Sequence, residues 1–188
     1  GIADEWRRQR TTIDPSTMPS MQLASTAIDR VSLCRETALN EILSFGHSDL
    51  LCYRADGPIE LRKEQTSVWQ PILNWLAKET GATLKITSGV MHIEQDRDTM
   101  AALYRVVASY EDFTLTVVWR FAQIFTSIAL ALAVVNGRLD WRNGVKLAFL
   151  DETFQTKRWG EDPEAANRLR AIRREVEQTA HFLTLCNG

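Results

Sequence analysis

Apolar positions recur at helical spacing along most of this chain, and the interruptions fall at prolines, glycines or short acceptor side chains. Pro15 and Pro19 lead into Met21, Ala24, Ile28, Val31 and Leu33, which predicts a helix over about 20–34 with proline in its first turn. A second helix follows over about 36–45, with Gly46 as its left-handed stop. Between 59 and 80, Leu61, Gln65, Val68, Trp69, Ile72, Leu73 and Leu76 form one stripe. Pro71 within that stripe predicts a kink or restart near Trp69, because proline removes a backbone donor and clashes one turn back. The pattern changes after Gly81: Thr83 to Thr87 alternates and is β-branched, and Val90 to Ile93 resumes after Ser88 and Gly89, which predicts a β hairpin or edge pair within 82–94. The remainder reads as helix over about 96–110, 112–136, 140–159 and 162–186. Asp96, Asp112, Asp140 and Asp162 are the expected N-caps and Gly137 and Gly160 the expected stops. The fold class is therefore mainly α, a multi-helix domain with a small β hairpin.

Composition narrows the class without naming a function. A chain of 188 residues, 45% apolar and 24% charged, has the size and balance of one ordinary globular domain. A formal net charge of -2 supplies no cationic field for nucleic acid, and no Lys/Arg block suggests an anionic membrane. Residues 121–137 are uncharged but short of the roughly 20 apolar residues a bilayer span needs, and Gln123, Thr126 and Ser127 interrupt them, so a buried central helix is expected rather than membrane insertion. Cys34, Cys52 and Cys186 are odd in number and scattered through apolar patterns, which predicts free, mostly buried thiols in a reducing compartment. No repeat and no low-complexity linker divides the chain.

Few residues could carry chemistry. His92 and Glu94 would point to one face of a strand, but two ligands make no metal site, and His47 and His181 have no partner at ligand spacing. A cysteine nucleophile needs a depressed pKa and a nearby base, whereas Cys52 lies between Leu51 and Tyr53 in an apolar run and reads as a buried thiol. The glycines are isolated and match no phosphate-binding loop, so neither metal nor cofactor is expected. Asp151 and Glu152 are adjacent, and on a helix adjacent side chains diverge by about 100°, too far for an acid–base pair. Glu152, Gln155 and Trp159, by contrast, share a ridge: a carboxylate, an amide and an indole that would suit recognition of another protein. The competing reading packs Trp159 in the core and pairs Glu152 with Arg158 or an arginine of the last helix. The mixed charges of that last helix, from Glu164 to Glu177, read as a solvated scaffold face. Arg54 reads as a buried brace for a carboxylate.

One long pattern adds to this. Asp49, Cys52, Tyr53, Arg54, Ala55, Pro58, Leu61, Gln65, Trp69, Pro71, Leu73 and Trp75 stand in the order D-x-x-C-Y-R-A-x-x-P-x-x-L-x-x-x-Q-x-x-x-W-x-P-x-L-x-W. With Glu5-Trp6, Met18-Pro19, Ala129-Leu130-Ala131 and the run from Leu150 to Glu161, it resembles the assembly chaperones for the alpha subunit of the F-type ATP synthase. The resemblance implies a non-enzymatic, monomeric protein that shields the unassembled alpha subunit and hands it to beta. It further implies a place in the bacterial cytoplasm or, alternatively, the mitochondrial matrix. Asp151, Glu152, Gln155 and Trp159 become the candidate client-binding residues, with Glu152 the one the family's signature relates to chaperone action. Tyr53, Arg54, Pro58, Gln65, Trp69, Pro71 and Trp75 become framework, and Trp6 a packing residue of the family's first helix. The resemblance also implies a small β-rich segment ahead of this chain, so that 1–19 is a remnant of that region and 20–188 the helical chaperone domain. A general holdase or adaptor, and an enzyme of unknown type using the Glu152 and Trp159 surface, are the alternatives.

Overall fold

The most apolar stretch of the chain becomes the centre of the molecule. In the computed structural model, which describes residues 1–160 and 162–186, α6 (Asp112–Phe125) buries Leu115 to Trp119, Phe121, Ala122 and Phe125, and α7 (Ile128–Val135) is almost wholly buried. Around them lie α1 (Ile2–Arg7), α2 (Pro19–Thr26), α3 (Arg35–His47), α4 (Ile59–Thr80), α5 (Arg97–Ala108), α8 (Trp141–Ala148), α9 (Leu150–Trp159) and α10 (Pro163–Cys186). No helix among the described residues is long and apolar enough to cross a membrane.

The helix expected over 112–136 is two helices, and the reason lies far away in sequence. Thr126 takes a left-handed conformation, with φ 49°, and Ser127 begins a new helix by accepting the Leu130 amide on its hydroxyl at 3.0 Å. The Ser127 hydroxyl donates to the fully buried Asp49 carboxylate at 2.8 Å, which also accepts the amides of Ala129 at 3.0 Å and Leu51 at 2.9 Å. Asp49 therefore joins the turn after α3 to the start of α7 through the middle of the core. The helix expected over 140–159 likewise divides at Phe149, whose backbone leaves helical values between α8 and α9.

Other boundaries shift for local reasons. The predicted first helix ends at Thr26 and continues as a π-helical turn over Ala27–Val31. Gly46 lies inside α3, where a Cβ would come within 3.1 Å of the Leu103 side chain and 3.2 Å of Met100; it permits close approach of α5 and stops nothing. Helix α4 runs unbroken through Pro71, which lies on its exposed side. Asp140 and Asp162 cap their helices as expected, accepting amides two and three residues on. Asp96 occupies the cap position of α5 but pairs with Lys85 at 2.6 Å, and α6 is capped by Glu111 while Asp112 pairs with Arg35.

The β element departs from a hairpin. Two short strands, β1 (Tyr53–Arg54) and β2 (Thr87–Ser88), pair in parallel, with Tyr53 opposite Thr87. Residues 83–86 have no strand partner because side chains take that role. Gln95 accepts the Lys85 amide at 2.8 Å and donates to its carbonyl at 3.1 Å, and the Thr99 hydroxyl donates to the Thr83 carbonyl at 3.0 Å.

The first helix holds the plainest correction. Trp6 is 47% exposed, and its neighbour Glu5 is the buried residue. The Glu5 carboxylate accepts the amides of Ser20 and Met21, both at 2.9 Å, and so satisfies the free donors at the start of α2. The cysteines are all free, but only Cys52 is buried; Cys186 is half-buried and Cys34 exposed.

Candidate functional site

Two motif residues of α4, Gln65 and Trp69, hold the start of α9 and the end of α8 against the body. Gln65, buried on α4, accepts the Ala55 amide at 2.8 Å and donates to the Asp151 carboxylate at 2.8 Å. Trp69, one turn further along and fully buried, donates its indole N–H to the Leu147 carbonyl at 3.0 Å, just before the bend at Phe149. The Arg54 guanidinium stacks over the Trp69 ring at 5.1 Å and donates to the Leu51 carbonyl. Arg54 is thus a buried brace, but for a backbone carbonyl rather than a carboxylate, and one of its nitrogens has no hydrogen-bond partner. Burial draws its pKa below the ordinary arginine value, and the nearby Cys52 and Asp49 oppose that shift. Tyr53 is half-buried on β1, with its hydroxyl 3.5 Å from the His92 ring. Pro58 directly precedes α4, and Trp75 lies half-buried on that helix well away from α9.

Helix α9 has two unlike sides. Leu150 is buried and Phe154 half-buried against the body, whereas Glu152, Gln155 and Trp159 are exposed on the other side. Trp159 is 80% exposed, with the Arg158 guanidinium 5.9 Å from its ring. Glu152 pairs with Arg168 of α10 at 2.6 Å, which is the pairing the competing reading allowed, while the core position it gave Trp159 is not found. Both partners of that pair are about half exposed, so it contributes ~0–1 kcal/mol. The structure thus places three of the four candidates on one exposed ridge and ties the fourth, Asp151, to Gln65 of α4.

Asp151 is engaged by Gln65 and Glu152 by Arg168, and burial, with Asp49 beside it, pushes the Cys52 thiol far above its ordinary pKa, so it supplies no thiolate. No cluster of three potential metal ligands occurs among the described residues. Two residues that organise the molecule carried little signal in the sequence. Asp49 stood in the long motif without a role, and Glu5 gave no periodic sign that it would cap a helix fifteen residues away.

Comparison with known proteins bears on the whole arrangement. A family model described as ATP12 chaperone protein matches residues 1–77. Protein atp12, mitochondrial, of Schizosaccharomyces pombe is 24% identical over 169 residues, which is 85% of this chain and 58% of that protein. The chain therefore spans well under two thirds of this curated relative's length. The crystal structure of Atp12 from Paracoccus denitrificans superposes with a TM-score of 0.93 at 35% identity, covering 98% of this chain and 79% of that one. The Atu1473 protein of Agrobacterium tumefaciens superposes with a TM-score of 0.89 at 36% identity, covering 96% of this chain and 68% of that one. With the same helices in the same places and more than a third of its residues shared across nearly its whole length, the chain belongs to the ATP12 chaperone family.

Proposed function

We propose that the chain is a non-enzymatic assembly chaperone of the F-type ATP synthase that binds the unassembled alpha subunit, shields its subunit interface from aggregation and hands it to beta. The single observation that carries the reading is the α9 ridge on a chain of the ATP12 chaperone family: an indole 80% exposed beside an exposed carboxylate and amide. A free subunit displays an apolar interface meant for its neighbour, and such patches drive aggregation. Trp159 is the anchor for that surface, because a large flat indole contributes much contact area for little ordering cost. Gln155 and Glu152 set the register. Arg168 holds the Glu152 carboxylate toward solvent, so a client cation can replace Arg168 without burying an unpaired charge.

Release requires no nucleotide. The beta subunit forms a larger, permanent interface with alpha and displaces a chaperone bound through a few anchors. The chain acts as a monomer, in a bacterial cytoplasm or a mitochondrial matrix. Co-expression with isolated alpha subunit, followed by sizing chromatography, is expected to give a one-to-one complex. Glu152→Lys places two cations together where an ion pair stood; the fold should survive, as the lost pair is worth ~1 kcal/mol at most, while rescue of alpha weakens. Full rescue by folded Glu152→Lys protein would remove Glu152 from the surface.

Exposed apolar residues away from α9, namely Leu33, Val90 and Met91, favour a second reading as a general holdase. Equal capture of alpha and beta in a pull-down would support that reading over the first.

A further inference from the structure

The side of α9 opposite the ridge borders a groove of about 550 Å³ enclosed by α4, α8, α9 and α10. Val68, Leu147, Phe154 and Leu169 line it, all partly open to solvent. At 100° per residue, Leu150, Phe154 and Lys157 lie on this side of α9, and Glu152, Gln155 and Trp159 on the other. The groove and the ridge are therefore two surfaces of one helix.

The rim of the groove is charged, and in one sense. Among the described residues, Lys146, Lys157 and Arg173 border it against the one carboxylate of Glu64, although the chain as a whole has a formal charge of -2. Lys146 and Arg173 are exposed, and among the described residues none of the three cations belongs to an ion pair. An apolar trough with cations at its edge is complementary to an apolar segment flanked by Asp or Glu: the floor takes its side chains and the rim steers and orients its charges.

Resting on the alpha-subunit reading above, we infer that this groove is a second docking site for the client and receives an apolar, acid-flanked segment of the alpha subunit. The client then grips α9 from both sides.

The test uses the whole chain and purified alpha subunit, with affinity measured across a salt series. The double variant Lys146→Glu, Arg173→Glu alters two exposed side chains, and an unchanged melt confirms its fold. Weakening of binding by ~10-fold or more, with a flatter salt dependence, is expected of rim charges that steer the client. Glu64→Lys should leave binding intact or tighten it. Wild-type binding that the double variant retains, with the same salt dependence, overturns the groove assignment and leaves the alpha-subunit reading standing. No binding by the wild-type chain overturns that reading and the groove assignment with it. Self-association of the chain that the double variant abolishes would assign the groove to a second copy and overturn the proposal.

Discussion

Asp49 shows how much of this molecule depends on one buried carboxylate. Burial pushes its pKa up to about 6 from an ordinary 3.8, although the amides of Ala129 and Leu51 and the Ser127 hydroxyl all favour the charged form. A folded-state pKa above the unfolded one means that the folded protein binds the proton more tightly. The stabilisation from this proton is complete below the unfolded value and disappears as pH rises through about 6. Glu5 runs the other way: burial disfavours its charge, but the Ser20 and Met21 amides outweigh burial and hold its pKa below the ordinary value, so its contribution disappears as pH falls. The two are separable by mutation. Asp49→Asn offers one carbonyl oxygen where two carboxylate oxygens accept amides, and the orphaned amide should cost about 1–3 kcal/mol. Denaturant titrations are expected to show the largest deficit of the variant near about pH 4, narrowing toward about pH 7 as the wild-type carboxyl loses its proton. A deficit independent of pH would show that Asp49 does not titrate in that window.

At the scale of elements, the hydrophobic pattern located helices well and their breaks poorly. Residues 121–135 hold no charge, proline or glycine, so only the polar pair Thr126-Ser127 marks the change locally; the break is fixed because Asp49 presents acceptors to Ser127 and Ala129. The strand at Thr87–Ser88 lies within the predicted β region, but its partner is Tyr53–Arg54, since Gln95 and Thr99 occupy the hydrogen-bonding positions a hairpin would have used. Helix α9 has little apolar attachment, with Leu150 its one buried residue, and Gln65 is a polar tie from it to α4. Gln65→Leu removes the acceptor for the Ala55 amide and the donor to Asp151, with an expected cost of about 1–3 kcal/mol. Hydrogen exchange should already be faster in α9 than in α6 and α7, and faster again in the variant. Equal protection of α9 and α7 in the wild-type chain would contradict this picture.

For the whole molecule, the proposed function assigns stability and recognition to different tryptophans. Trp69 is enclosed by Arg54, Leu147 and the core, and truncation to alanine should cost about 3–5 kcal/mol, with client binding lost only through unfolding. Trp159 stands outside, so Trp159→Ala should shift stability by no more than about 0.5 kcal/mol. The same change should weaken the complex with alpha by roughly 2 kcal/mol or more, as expected of an anchor residue. Melts and binding assays on both variants test this together; a Trp159→Ala chain that binds normally would move the anchor elsewhere.

The sequence by itself determined the class of this protein. Helical periodicity, caps and stops placed most of its helices, and the long motif from Asp49 to Trp75 pointed to the family, because both are carried by residues near one another in the chain. The ridge of Glu152, Gln155 and Trp159 was legible for the same reason: it follows from the pitch of one helix. Whether that ridge was exposed was not legible, since burial depends on what packs against the helix. Only the tertiary structure decided that Trp159 projects while Trp6 gives way to Glu5, that Asp151 is tied to Gln65 across 86 residues, and that a carboxylate at position 49 divides a helix that begins at 112. Each of these is a long-range contact in which a buried polar group must find a partner, and no local pattern records where that partner lies.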